Sequence, residues 1–111
     1  TSYEYEHGVS EFEKVGLTPI PSQFVRPPRV AESPIQMECR LFQIVSHGTG
    51  PVAANYIIGE VLCFHIAEHL LKDGALVDDR VADFIGRLGE SWYCRVTPES
   101  MFWLPRPGQG A

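Results

Sequence analysis

The sequence has no apolar run near the roughly 20 residues that a helical membrane span needs, so no membrane partner is expected. It has no basic cluster either. Its 9 Lys and Arg are scattered and outnumbered by 14 Asp and Glu, for a net charge of −5. That excludes a surface built to track the phosphates of DNA or RNA. The opening TSYEYEHGVS lacks the basic and apolar regions of a signal peptide. G-x-G-x-x-G and Walker motifs are missing, which removes Rossmann and P-loop nucleotide sites. No catalytic triad is evident. Cysteine is scarce: Cys39, Cys63 and Cys94, an odd number without C-x-x-C or Cys/His zinc spacing. The three read as unpaired thiols, small buried hydrophobes in a reducing cytosol, and a cytoplasmic location is expected.

What is present fits one domain. A chain of 111 residues, 44% hydrophobic and 21% charged, is ordinary for a globular protein. At that length it can bury about two thirds of its unfolded surface. A single domain over residues 1–111 is expected, with 108–111 as a flexible tail. Because the chain begins with Thr1, it is read as a fragment or a processed product.

Local patterns are mostly β. VSEFEKVG predicts a short helix, with Ser10 as its cap, Glu13 as capping-box partner and Gly16 as its end. Pro19, Pro21, Pro27, Pro28 and Pro34 make the next stretch an extended edge segment, although Ile20, Phe24 and Val25 ask for burial. From Ile35 the period is two: Ile35, Met37, Cys39 and Leu41 alternate with Gln36, Glu38, Arg40 and Phe42, a half-buried strand. A bulge is expected near Phe42 to Ile44. SHGTGP is a turn, and Asn55 to Ile66 is a second strand antiparallel to the first, interrupted by Gly59. Asp73-Gly74 is a turn signal. Asp78 or Asp79 is expected to cap a helix that carries Val81, Phe84, Ile85 and Leu88 on one face. SWYCRV reads as a short strand and SMFWLPRP as a last extended segment. Four or five strands are too few to close a barrel, so an added partner is expected to cover their edges.

Five stretches carry a family resemblance: HGVSEFEKVGLTPIPS, PPRVAESPIQMECRLFQIV, IIGEVLCFHI, GRLGESWYCRV and LPRP. In this order, from about Gly8 to Pro107, they resemble the flavin reductase-like, FMN-binding split-barrel proteins of the conserved flavoprotein oxidoreductase subgroup. The resemblance implies a mainly β fold: an FMN-binding split β-barrel of Greek-key type, here partial, with one or two short helices. Family members are nearly twice as long, so the chain looks like the C-terminal half. The resemblance further implies FMN as cofactor, NAD(P)H as co-substrate, and a homodimer with flavin near the subunit interface. The absent half supplies most of the loop that holds the flavin.

In such proteins the flavin does the redox chemistry and the protein positions it, so no catalytic side chain is expected. His65 ends the GEVLCFH strand, where related reductases place a histidine near flavin and nicotinamide. It either donates to a flavin carbonyl or a nucleotide phosphate, or is a strand-end histidine bonded to backbone. Arg87 and Tyr93, beside Trp92, either hold a phosphate and border the isoalloxazine or are a surface arginine with core aromatics. Thr1 and Ser2 are read as the remnant of a phosphate-contacting loop. His65 and His69 are spaced for a metal if helical, but lack a third ligand, so no metal is expected. His7 and His47 are read as solvated, as is the acidic run Glu4, Glu6, Glu11 and Glu13. Two functions remain: an NAD(P)H-dependent flavin reductase-like oxidoreductase, or a non-catalytic barrel half that serves dimerisation or interaction.

Overall fold

The computed structural model describes residues 7–109. The chain forms two compact units, divided between Ala67 and Glu68. In the first, α1 (Glu11–Val15) is the short helix expected. Gly16 ends it in the left-handed region (φ 75°) and turns its N–H back to the Phe12 carbonyl. The capping box does not form: Ser10 occupies the cap position with an extended backbone, but its side chain caps nothing.

The proline-rich segment folds back on itself. β1 (Pro19–Ile20) pairs antiparallel with β2 (Arg29–Val30). Pro19 stands opposite Val30, beside the bond from the Ala31 amide to the Thr18 carbonyl, at a position that needs no ladder donor. Arg29 closes the loop with its Nη2 on the Pro21 carbonyl at 3.1 Å and its Nη1 on Gln36 Oε1 at 3.0 Å. Phe24, expected inside, is exposed.

β3 (Ile35–His47) and β4 (Ala54–Ile66) are the long antiparallel pair predicted, joined by a turn with positive φ at Gly48 and Gly50. The register shifts twice, between Glu38 and Cys39 and between Leu41 and Gln43. Leu62 is the extra residue at the first shift and Phe42 at the second, where a bulge was expected. Gly59, opposite Leu41, borders that bulge, and a Cβ there would sit 3.3 Å from Cys39 Cβ.

Following the register gives the two faces of the ribbon. One carries Met37, Leu41 and Ile44 from β3 with Phe64, Val61 and Ile57 from β4. The other carries Gln36, Glu38 and Arg40 with His65, Cys63 and Glu60. Burial reverses the expectation. The apolar face is open, with Leu41 61% and Ile57 71% exposed, while Glu38 on the polar face is 1% exposed. The reason lies in what each face meets: Gln23, Phe24 and Arg29 hydrogen-bond onto the polar face, and no described residue of this unit layers over the apolar one. Cys39 is likewise exposed rather than buried, as is Cys94.

In the second unit β5 (Leu71–Lys72) and β6 (Leu76–Val77) are joined by the predicted Asp73–Gly74 turn, both residues at positive φ. β7 (Ile85–Arg87) pairs with β8 (Tyr93–Arg95). The helix expected after Asp78 does not exist. The chain makes a single turn, with the Val81 and Ala82 amides on the Asp78 carbonyl, and Asp83 then enters the left-handed region (φ 52°). Asp83 breaks the helical run, and Ile85 goes into a strand opposite Arg95. Leu70 is the buried hydrophobic side chain here, 1% exposed. Pro98–Ser100 is a 3-10 turn, and residues 101–105 pair with no strand. Most strands have two or three residues, and the described residues form eight rather than four or five. No described helix is long and apolar enough to cross a membrane.

Gly86 faces Cys94 across β7 and β8, where a Cβ would lie 2.9 Å from Cys94 Sγ. Gly86→Ala is expected to destabilise by about 1–3 kcal/mol through overpacking, and Cys94→Ala in the same chain should restore most of the loss. Urea unfolding of the two chains checks this; an unchanged midpoint in Gly86→Ala would show that the sulfur simply turns aside.

Candidate functional site

Of the expected residues, His65 lies in the first unit and Arg87 and Tyr93 in the second. In the first, Glu38 on β3 stands opposite Cys63 on β4, with His65 two residues on along the same face. The Glu38 carboxylate accepts the Gln23 amide at 3.0 Å, the Phe24 amide at 2.6 Å and His65 Nε2 at 2.5 Å. Burial pushes its pKa up, but the two amides and the His65 ring together outweigh this and hold it at about 2. At neutral pH Glu38 is therefore a carboxylate that only accepts, so the proton in the short contact sits on His65 Nε2. Cys63 Sγ lies 3.6 Å from the same nitrogen. His65 is thus a strand-end histidine bonded to a buried carboxylate rather than to backbone.

In the second unit the tight β7–β8 hairpin brings Arg87 and Tyr93 together as register partners. The guanidinium carbon is 4.8 Å from the ring centroid. Arg87 Nη1 donates to Tyr93 Oη and Nη2 to the Glu90 carbonyl, where Glu90 turns the loop at positive φ. Among the described residues no carboxylate pairs with Arg87. Its neighbour Arg95 differs: it grips Asp83 bidentately at 2.9 and 2.6 Å. The hydrogen bond from Arg95, with its charge, lowers the Asp83 pKa against a smaller opposing effect of burial. Tyr93 and Trp92 are both exposed, not core aromatics.

Thr1 and Ser2 lie outside the described residues. His65 is on β4 and His69 in a 3-10 turn (Glu68–Leu70), so no helix carries that pair. Sequence reasoning missed Glu38 and Cys63. Their signal was faint: a carboxylate and a thiol on strands that would end up directly opposite each other.

No family model matches the chain. An uncharacterized protein of Aquifex aeolicus is 36% identical over 100 residues, which is 89% of this chain and 48% of that protein. Another from Halalkalibacterium halodurans is also 36% identical, over 88% of this chain and 46% of its own length. The chain therefore spans about half the length of the curated relatives it matches. Among solved structures, nitrilotriacetate monooxygenase component B from Bacillus cereus superposes with a TM-score of 0.79 at 33% identity, over 90% of this chain and 49% of that one. Flavoredoxin of Desulfovibrio vulgaris gives 0.70 at 26%, over 90% and 49%. A Shewanella frigidimarina protein assigned as a flavin reductase with a split-barrel domain gives 0.75 at 23%, over 95% and 51%, a likeness of fold. The chain shares the split-barrel fold of these flavin reductase-like proteins, and it spans about half of each of these solved relatives.

Proposed function

We propose that this chain is the C-terminal half of an FMN-binding, NAD(P)H-dependent flavin reductase-like oxidoreductase that acts as a cytoplasmic homodimer. One observation carries the reading. On a fold shared with a flavoredoxin, Arg87 stands exposed against the Tyr93 ring without a carboxylate partner among the described residues. The pair suits FMN chemically: the guanidinium keeps N–H donors for a phosphate, and the exposed ring offers a face or edge to an isoalloxazine. When bound, the flavin supplies the hydride and electron transfer; Arg87, Tyr93, Thr1 and Ser2 would bind and orient it. The role proposed for His65 narrows. With Nε2–H given to Glu38, a neutral ring has only the acceptor Nδ1 left, so it receives a hydrogen bond from flavin or nicotinamide rather than donating one.

The test is to incubate the 111-residue chain with FMN, separate free flavin by gel filtration and record the visible spectrum. Retained flavin is expected, with Arg87→Ala weakening FMN by about 10- to 100-fold, the worth of a charge-assisted hydrogen bond. A second reading, a non-catalytic half that serves dimerisation, is favoured by the open apolar face of β3 and β4. A chain that self-associates but retains no flavin would select it.

A further inference from the structure

We propose that Glu38, Cys63 and His65 form a binding site for a zinc ion. The proposal does not rest on the flavin reading. All three side chains project from one face of the β3–β4 ribbon, and their ligand atoms lie within 4.8 Å of one another. A thiol, an imidazole and a carboxylate are the donors that zinc takes, and the sulfur and nitrogen discriminate against calcium and magnesium. The Cys63 Sγ to His65 Nε2 separation is 3.6 Å. With ordinary Zn–S and Zn–N bonds at a tetrahedral angle, that edge is about 3.6 Å.

The arrangement excludes the other chemistry such a trio invites. In a nucleophile, base and orienting-acid relay the thiol and the carboxylate contact different ring nitrogens. Here both approach Nε2. A centre on which three groups converge is the geometry of a shared cation, and the Nε2 proton now fills that role. The Glu38–His65 contact of 2.5 Å must open by about 0.8 Å to admit the metal. His65 is partly exposed and at the strand end, so a small ring rotation suffices. Glu38 keeps its place. Its Oε1 stays held by the Gln23 and Phe24 amides, the outer contacts that orient a ligating carboxylate, and Oε2, which shares the Gln23 amide, faces the metal. Carboxylate and thiolate balance the divalent charge: the thiol proton is released, and the Nε2 proton passes to Nδ1, so that a neutral imidazole binds through Nε2. Three protein ligands leave the fourth position open.

The test uses the full chain, reduced and stripped with a chelator, titrated with zinc against a chromophoric competitor and separately with cobalt(II). One ion per chain is expected, with a thiolate-to-cobalt absorption band. Cys63→Ser should abolish the band and weaken zinc by at least about 10-fold; Cys39→Ser and Cys94→Ser should change neither. His65→Asn, which keeps a donor toward Glu38, should weaken zinc likewise and guards against a misfolded Cys63 variant. A wild-type chain without stoichiometric zinc overturns the site. So does equal zinc binding by Cys63→Ser or by His65→Asn.

Discussion

Glu38→Ala lowers the melting temperature by on the order of 10 °C and frees the loop between β1 and β2 from the β3–β4 ribbon. The carboxylate is the pin of the first unit: two backbone amides and a histidine ring end on it, in a place with 1% exposure. Truncation leaves the Gln23 and Phe24 amides and the His65 proton to find new partners. Glu38→Gln should fall between wild type and Ala, because the amide oxygen still accepts while its NH₂ faces donors. Acid reports the same pin. The folded pKa is depressed to about 2 from an ordinary 4.5, so the contribution is present above about 4.5 and drains away as pH falls toward 2. Glu32 and Asp83 are also lowered, by hydrogen bonds from Thr18 and Arg95 first, and add slope in the same direction. The difference between wild type and Glu38→Ala isolates the pin. Circular-dichroism melts from pH 7 to pH 2 read it, and parallel profiles for the two chains would mean that Glu38 is not the pin.

In the proposed homodimer, Ile57→Glu is expected to abolish self-association. Ile57 stands opposite Ile44 on the open apolar face and is 71% exposed. In a symmetric dimer the substitution acts twice. Losing two buried isoleucines costs about 3–6 kcal/mol, at least 100-fold in Kd at about 1.4 kcal/mol per decade. Arg40→Ala is the control. It lies on the opposite face in an exposed pair with Glu60 at 2.9 Å, worth about 1 kcal/mol at most, and should leave association intact. Sedimentation velocity decides: a wild-type chain that stays monomeric, or an Ile57→Glu chain that still dimerises, removes the homodimer from the proposal.

Both experiments turn on a face that the sequence labelled and did not orient. Alternation from Ile35 shows which residues share a side, and that much was correct, as were the bulge at Phe42 and the turn at Asp73–Gly74; Gly59 does not interrupt its strand, which runs unbroken opposite the bulge. Period two says nothing about which side gets covered. That was decided about 15 residues upstream, where Gln23 and Phe24 turn their amides onto Glu38; such a contact leaves no local trace. The lost helix after Asp78 has a local cause. Apolar spacing matched a helix, but Asp83 adopts a left-handed backbone and its carboxylate serves Arg95, two facts a propensity scale averages away. Of the candidate site, the Arg87–Tyr93 pairing was legible because a short hairpin leaves few registers. The Glu38, Cys63 and His65 convergence needed the pairing of β3 with β4.

The two bulges act on the ribbon as changes of reading frame. On β3 the apolar face is written in odd positions through Leu41 and in even ones from Ile44; on β4 the polar face holds the odd positions 63 and 65, and below Leu62 the odd positions 61 and 57 are apolar. A relative with one residue fewer beside Phe42 would keep its pairing only by losing the bulge, and its odd and even letters would then carry one meaning along the whole strand. Parity on either side of these two positions is therefore a code that an alignment of such proteins has to respect before any column is compared.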